Sequence, residues 1–208
     1  MVRVLVSRTL IGLLALITLA LPVWYYRYQY GELKRVRVVT EGKLYRCGQL
    51  TETGFDQVID HYGIRTVINL QDEDANPKLS KRLREKEYCQ QKGVNYVYLP
   101  PLLVAEGEPT TLEQFQALFD DVNTYPILIH CKAGLHRTGT MVAFYRIEYE
   151  GWTPQAAMNE LMINGFSLKQ CHVKNPYIKN YLVDYVPRSK RWPTPVKSPA
   201  GSGVVPSL

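Results

Sequence analysis

The chain has 208 residues, of which 46% are hydrophobic and 21% are charged, a composition typical of a globular domain rather than of a disordered or fibrous chain. The formal net charge of +6 suits an acidic partner such as a phosphate group or an anionic lipid. RNA-binding aromatic motifs, zinc-finger spacing and heptads are all missing from the sequence, so no nucleic acid partner is expected, and the scattered cysteines predict no metal site.

The first element is an apolar segment, Thr9 to Tyr26, which carries no charge and has an arginine on each side. A helix of this length spans about 27 Å, close to the roughly 30 Å of a bilayer's hydrocarbon core. Trp24 and the neighbouring tyrosines resemble an interfacial aromatic belt. Residues 1–27 are therefore predicted to be a single-pass membrane anchor.

Two alternatives remain open for this segment. It is also typical of a cleaved signal peptide, with Thr18-Leu19-Ala20 as the cleavage site, or of a buried core helix. More basic residues follow the segment than precede it, so the positive-inside rule places the rest of the chain in the cytoplasm. Residues 28–42 are predicted to be a juxtamembrane linker.

Residues 43–187 alternate between strand and helix patterns. Short apolar or β-branched runs predict strands at 44–46, 65–70, 94–100 and 126–130. Helical periodicity and capping residues predict helices at 52–62, 77–92 (a charged surface helix), 111–123, 138–151, 153–165 and 175–185. This alternation predicts an α/β domain with a mainly parallel central sheet flanked by helices. The proline-rich tail, 188–208, is predicted to be disordered.

The stretch HCKAGLHRTG at 130–139 lies between a predicted strand and a predicted helix, where α/β sheets bind ligands. Five residues separate Cys131 from Arg137. A loop of this length can curl so that its N–H groups, with the helix N-terminus behind them, surround a tetrahedral dianion. Gly134 would allow the tight backbone path, and Arg137 would bind two phosphate oxygens as a fork.

The loop N–H groups, the helix N-terminus and Arg137 together create a positive electrostatic field that also acts on Cys131. It is expected to lower the thiol pKa from about 8.5, so that the thiolate is present near neutral pH. The expected reaction is displacement at phosphorus through a thiophosphoryl-enzyme intermediate, and Thr138 is expected to hydrogen-bond the sulfur when it departs. The reaction needs no cofactor. The other cysteines, Cys47, Cys89 and Cys171, are predicted to be small buried hydrophobes.

The pattern His130-Cys131-x5-Arg137-Thr138-Gly139 resembles the signature of the cysteine-dependent protein tyrosine and dual-specificity phosphatases. The stretches LYRCGQL and GIRTVINL are similar to the opening of the atypical dual-specificity branch, so the resemblance covers about residues 44–186. The resemblance implies the α/β fold of these phosphatases, with a catalytic domain at residues 43–187. It also implies a phosphate-binding loop made of Lys132, Ala133, Gly134, Leu135, His136 and Arg137.

Two parts of the loop resemble more specialised relatives. HCKAG is similar to the loop of phosphoinositide 3-phosphatases, and HRTG to that of plant and fungal enzymes that act on inositol pyrophosphates. Both groups usually have a lysine where this chain has Leu135. The missing charge argues against a highly phosphorylated inositol substrate, although a protonated His136 would replace part of it.

The family also uses a general acid, typically an aspartate on a loop before the cysteine. The corresponding loop here, 100–111, contains only Glu106 and Glu108 as carboxylates. Glu108 is the preferred candidate because, counted back from Cys131, it lies nearest to the aspartate of the branch that resembles the inositol pyrophosphatases. Glu106 and the group Asp72, Glu73 and Asp74 are the alternatives. Such an acid contributes about 10²–10⁴ in rate.

The predicted function is hydrolysis of phosphotyrosine, and of phosphoserine or phosphothreonine if the site is shallow, in phosphorylated proteins. A phosphatase of inositol phosphates or phosphoinositides is the second hypothesis, since a membrane anchor would suit a lipid substrate. The third is a phosphate-binding pseudophosphatase without turnover. The presence of both Cys131 and Arg137 argues against this third hypothesis, and the missing aspartate argues for it.

Overall fold

The computed structural model describes residues 2–27, 31–71, 84–99, 111–167, 182–183 and 185–188. The described helices and strands are, in chain order, α1 (Val2–Arg27), β1 (Arg37–Thr40), β2 (Leu44–Cys47), α2 (Glu52–Tyr62), β3 (Thr66–Asn69), α3 (Glu85–Gln91), β4 (Asn95–Tyr98), α4 (Thr111–Asp120), a 3₁₀ turn (Val122–Thr124), β5 (Ile127–His130), α5 (His136–Tyr149) and α6 (Pro154–Ile163). The five strands form one sheet in the order β1-β2-β5-β3-β4. Strand β1 is antiparallel to β2, and the other pairs are parallel. The predicted α/β class with a mainly parallel sheet is confirmed.

Strand β5 lies at the centre of the sheet and is buried on both faces. Ile127 and Ile129 point into a core formed with α4, α5 and α6, whereas Leu128 points into a second core formed with α2 and α3. Alternate residues of a strand face opposite sides, so a strand covered on both sides must be apolar throughout. This explains the unbroken apolar run before the cysteine.

Helix α2 covers the predicted residues 52–62, and α6 covers Pro154–Ile163 of the predicted 153–165. The signals that start both helices and end α2 are local. The Thr51 side chain accepts a hydrogen bond from Gly54 N, and Gly63 ends α2 in the left-handed region at φ 60°. Thr153 caps α6 in the same way by accepting from Ala156 N, and Pro154 occupies the first turn.

The structure differs from the predicted linker at 28–42, because residues 37–40 form strand β1 at the edge of the sheet. This strand pairs Val38 with Tyr45 and Arg37 with Arg46 of β2. The run RVRVVT at 35–40 alternates basic and branched residues, which is a strand pattern. Residues 37–40 therefore belong to the sheet, although the basic residues in this region led to the prediction of a membrane-flanking linker.

Two helices also differ from their predicted bounds. Helix α5 begins at His136, two residues before the predicted start at 138, so Arg137 lies in its first turn. Of the predicted helix at 77–92, residues 77–83 lie outside the described residues, and α3 begins at Glu85 and ends at Gln91. Glu85 is fully buried rather than on a solvated face. The predicted helix at 175–185 falls mostly outside the described residues, and the tail at 189–208 lies wholly outside them.

Helix α1 contains a stretch, Thr9–Arg27, that is long and apolar enough to cross a membrane by length and composition, with a mean hydropathy of 1.8. The side chains of this stretch are exposed to solvent rather than packed against the sheet. Its position near the N-terminus also fits a signal sequence.

Candidate active site

The loop that follows β5 lies at the edge of the sheet where the parallel strands end. Cys131 directly follows β5, and the neighbouring strands β2 and β3 end at Cys47 and Asn69. Backbone groups just beyond these strands meet the loop: Leu70 N donates to His130 O at 2.9 Å, and Gln49 N donates to Lys132 O at 3.3 Å. The central strand therefore delivers the cysteine into a crevice between its two neighbours.

The first half of the loop curls tightly around the cysteine sulfur. Gly134 N donates a hydrogen bond to Cys131 Sγ at 3.3 Å, and Cys131 is 6% exposed. Gly134 has φ 70°, and a Cβ there would lie 2.5 Å from Cys47 O and 2.6 Å from Gly48 N. Only glycine fits this approach between two backbone segments. The donated N–H group stabilises negative charge on the sulfur.

Three consecutive carbonyl oxygens of the loop are held by cationic side chains. Lys34 Nζ donates to Lys132 O at 2.8 Å, and Arg35 Nη1 donates to Ala133 O at 3.0 Å. Arg46 Nη2 donates to Gly134 O at 2.8 Å.

Arg46 is the most deeply placed of these cations, with 4% of its surface exposed. Burial lowers the pKa of Arg46 to about 10, and the nearby charge of Arg37 acts in the same direction. Gly139 lets α5 pack closely on α6, because a Cβ there would lie 2.3 Å from Leu161 Cδ1, whereas its distance of 3.4 Å from Arg46 Nη2 would be an ordinary contact. The site thus includes a positive charge that had to be desolvated.

The second half of the loop is the first turn of α5. The first N–H groups of a helix have no partner within it, so this turn offers donors towards the crevice. Arg137 Nη1 donates to Leu70 O at 3.1 Å, which ties the guanidinium to the end of β3. Thr138 is fully buried, and its Oγ1 has no hydrogen-bond partner among the described residues. The cysteine sulfur accepts its hydrogen bond from Gly134 N, and the bond expected from Thr138 to the departing sulfur stays a prediction.

The outer side of this half is apolar. Leu135 is half-buried, and its Cδ2 would be 3.3 Å from a Cβ at Gly165. The His136 ring meets the Phe166 ring edge-on, with centroids 5.2 Å apart. Lys132 is exposed on the opposite half of the loop.

A buried polar network lies behind the cysteine. His130 Nε2 and Glu85 Oε1 are 2.6 Å apart, and both side chains are fully buried. Gln49 Nε2 donates to Glu85 Oε2 at 3.1 Å, and Gln71 donates to Gln49. This network fixes the residue that precedes the nucleophile candidate.

Sequence reasoning missed Glu85, although a signal was present. Glu85 stands three and four positions before Tyr88 and Cys89, both of which are buried, so the three residues share one helical face. The two basic neighbours of Glu85 in the sequence, Arg84 and Lys86, made the segment look like a solvated surface.

The other described cysteines are buried thiols. Burial raises the pKa of Cys47, and the charges of Glu85 and Cys131 raise it further. Burial raises the pKa of Cys89 to about 12, helped by Glu85. Neither group is a nucleophile near neutral pH. Cys171 lies outside the described residues.

The predicted general acids cannot be placed in this geometry. Glu106, Glu108 and the group Asp72, Glu73 and Asp74 all lie outside the described residues. Across the residues that the structure describes, no group of three or more histidine, cysteine or carboxylate side chains is arranged to hold a metal.

Known proteins share this sequence pattern. The dual specificity protein phosphatase TpbA of Pseudomonas aeruginosa (strain UCBPP-PA14) is 34% identical over 82 residues, which cover 39% of this chain and 38% of TpbA. The chain thus matches well under two thirds of that relative. The putative tyrosine-protein phosphatase OCA1 of Mycosarcoma maydis is 29% identical over 126 residues, which cover 59% of this chain and 75% of OCA1.

Solved structures share the fold. The core catalytic domain of SIW14 from S. cerevisiae superposes with a TM-score of 0.55 at 18% identity, covering 75% of this chain and 88% of that one. Tk-PTP in its active form gives a TM-score of 0.53 at 19% identity, covering 73% and 97%. The family model described as a DSP-PTPase phosphatase fused to NAD+ kinase matches residues 21–175. The chain therefore belongs to the DSP-PTPase family of cysteine-dependent phosphatases.

Proposed function

We propose that the chain is a metal-independent phosphomonoester hydrolase in which Cys131 is the nucleophile and phosphotyrosine in proteins is the substrate. The observation that carries the proposal is the hydrogen bond from Gly134 N to Cys131 Sγ, in a loop that continues directly into the first turn of α5. This arrangement stabilises the thiolate and gives the phosphate N–H donors at the same point.

The reaction takes two steps in this proposal. The Cys131 thiolate attacks phosphorus, the S–P bond forms, and the P–O bond to the tyrosine breaks while Glu108 protonates the leaving oxygen. Water then attacks phosphorus and gives a proton to the Glu108 carboxylate, the S–P bond breaks, and inorganic phosphate leaves with the Cys131 thiolate restored. Arg137 holds two phosphate oxygens throughout. The buried hydroxyl of Thr138, with rotation about χ1, would donate to the departing sulfur in the second step.

The apolar side of the loop supports an aromatic substrate. Leu135 places a half-buried aliphatic side chain where a charged one would bind a second phosphate, and the adjacent His136–Phe166 contact extends the apolar surface. Exposed Lys132 on the other half supports the second candidate, a phosphatase of inositol phosphates or phosphoinositides. Comparing a phosphotyrosine peptide with inositol hexakisphosphate and a phosphoinositide as substrates separates the two.

We further propose that Thr9–Arg27 anchors the protein in a membrane with the catalytic domain in the cytoplasm. The support is the length, mean hydropathy and exposure of this stretch, with the excess of basic residues after it. Protease protection in sealed vesicles tests the orientation, and the mass of the N-terminal peptide tests for cleavage.

The decisive experiment is hydrolysis of para-nitrophenyl phosphate and a phosphotyrosine peptide by the full chain in detergent, with a reductant and EDTA. Wild type should turn over both, and Cys131→Ser should lose at least about 10⁴-fold in kcat. Turnover that needs a metal, or that survives Cys131→Ser, would contradict the thiolate mechanism. Tungstate binding without any turnover would show a phosphate-binding pseudophosphatase instead.

The general acid needs its own comparison. Glu108→Gln should lower kcat on the phosphotyrosine peptide by about 10²–10⁴, and Glu106→Gln should leave it nearly unchanged. The loss should be much smaller with para-nitrophenyl phosphate, whose leaving group needs little protonation. The reverse result for the two glutamates would move the role to Glu106. Wild-type rates in both variants would move it to the 72–74 group.

A further inference from the structure

The anion-binding form of the loop depends on where its carbonyl groups point. Successive N–H groups can converge on one phosphate only if the intervening C=O groups turn away from it, because the oxygens would repel the dianion. An outward carbonyl keeps its orientation when a donor holds it there. Between Cys131 and Leu135 every carbonyl oxygen has such a donor: Lys34, together with the Gln49 N–H group, at residue 132, Arg35 at residue 133 and Arg46 at residue 134.

Two of these donors come from the segment between the apolar helix and β1, 98 positions before the residues that they contact. This segment is fixed in place by its own backbone, since Gly48 N donates to Lys34 O at 2.7 Å. Gly48 also lets the parts approach closely. A Cβ at residue 48 would lie 2.9 Å from Lys34 Cδ and 3.1 Å from Ala133 O.

The backbone of the segment is strained at the residue that makes the second contact. Arg35 has φ 54°, and it is the only non-glycine residue with positive φ among the residues that the structure describes. An L-residue other than glycine avoids this region unless the surroundings impose it, and such strain concentrates at functional sites. Here the strained conformation coincides with delivery of the guanidinium to Ala133 O.

We propose that Lys34 and Arg35 are positioning residues that hold the phosphate-binding loop in its anion-binding form before substrate arrives. The inference rests on the proposed function only in that the loop must take a tetrahedral anion. Neither residue needs to touch the substrate. Their removal should weaken the binding of any tetrahedral dianion and lower kcat/KM by the same factor, because a preorganised loop stabilises the ground state and the transition state together.

The test is tungstate binding to the full chain in detergent, measured by calorimetry, because this readout does not depend on turnover. Lys34→Met and Arg35→Met should each weaken tungstate about 3- to 10-fold, and Lys34→Arg should bind like wild type. Lys43→Met is the matched control. Lys43 is exposed in the β1–β2 turn, so this substitution removes the same charge without changing a contact to the loop.

Arg35→Gly separates a positioning role from a structural one. Glycine adopts φ 54° without strain, so the thermal midpoint of this variant should stay at or above that of wild type while its tungstate affinity falls. A variant that unfolded more easily but bound tungstate normally would instead show a structural role and overturn the proposal.

The remaining outcomes are equally decisive. Equal losses of affinity in Lys34→Met and Lys43→Met would mean that net charge, not the contact, matters, and would overturn the proposal. If wild type binds tungstate but does not turn over substrate, the proposed function fails, and the positioning role is still judged from the affinities. If wild type binds no tungstate, both fail together.

Discussion

The two halves of the active-site loop are built in different ways. Residues 131–134 have no regular structure, and their carbonyl groups are held by side chains from far up the chain. Residues 136–138 are the first turn of α5, and backbone bonds such as Gly139 N to Leu135 O at 2.9 Å hold that turn locally. The first half therefore depends on tertiary contacts, and the second on the helix.

This difference predicts how strongly a substitution should affect each half of the loop. The first turn of α5 is supported by the eleven helical residues that follow it, so a change at the far end of that helix should affect the site weakly. The first half lacks such support. Apart from Lys132 O, which also accepts from Gln49 N, each of its carbonyl oxygens is held by one side chain. The predictions below test this contrast from the largest expected effect to the smallest.

Glu85→Ala should disrupt the buried polar network behind Cys131, which holds the start of the first half of the loop. In the wild-type protein both side chains of the His130–Glu85 pair are fully buried. The substitution therefore leaves His130 buried without its carboxylate partner. The free energy of unfolding should fall by about 3–5 kcal/mol. Urea unfolding measures this, with Glu52→Ala, an exposed change in the first turn of α2, as the control that should cost well under half as much. Equal losses in the two variants would show that the buried pair is unimportant.

Gly134→Ala should deform the first half directly. Its Cβ would lie 2.5 Å from Cys47 O, a backbone atom that cannot move aside alone. Displacing the loop by about 1 Å should lower kcat/KM and tungstate affinity by about 10²-fold. Gly42→Ala is the matched control, since Gly42 has φ 69° but open space around its Cβ. It should cost stability from the positive φ and leave tungstate affinity unchanged.

Arg188→Gln should test the far end of α5. Arg188 Nε donates to Glu148 Oε1 at 2.6 Å, and the Glu148 side chain is 6% exposed. Losing this bond should cost about 1–2 kcal/mol of unfolding free energy, while tungstate affinity stays that of wild type. Arg65→Gln, an exposed change before β3, is the control for stability. A fall in affinity with Arg188→Gln would mean that the helix transmits changes along its length.

The smallest expected effect is the pH dependence of the stability difference between wild type and Arg188→Gln. Hydrogen bonding to Arg188 lowers the pKa of Asp120, and hydrogen bonds from Arg188 and Tyr185 lower that of Glu148 although burial opposes them. Carboxyl groups with lowered folded-state pKa values stabilise the fold above their unfolded values, about 3.9 and 4.3, and lose this as pH falls through the folded values. The stability gap between wild type and Arg188→Gln should therefore shrink below about pH 4 and be constant from pH 6 to 8. A gap that widened on acidification would contradict these ion pairs.

What the sequence predicted well was governed by local chemistry. Both ends of α2 follow from Thr51 and Gly63, and the start of α6 follows from Thr153, because each of these residues acts within a few positions of itself. The central strand follows from an apolar run that only a doubly covered strand requires. Cys131 follows a strand and Arg137 lies in the first turn of a helix, as the sequence predicts for this stretch, and their catalytic roles stay predictions.

What the sequence did not predict depends on contacts between distant residues. Lys34 and Arg35 look like membrane-flanking charges until β1 is paired with β2 and brings them beside the loop. Arg46 reads as a polar residue in a short strand, and only the structure shows the carbonyl group that it holds. Glu85 carried a periodic signal, but its charge and its neighbours concealed it.

The way in which the loop carbonyls are held has a consequence for how this site would diverge between species. A backbone oxygen accepts from any donor that reaches it, so selection at positions 34 and 35 would preserve a long basic side chain rather than one residue type. Arg137 has no such latitude, because the phosphate needs its planar fork. Relatives could therefore exchange, shift or rebuild the two upstream donors while the signature stays fixed. The residues that support the more vulnerable half of the loop would then be variable in an alignment, although the half itself is not.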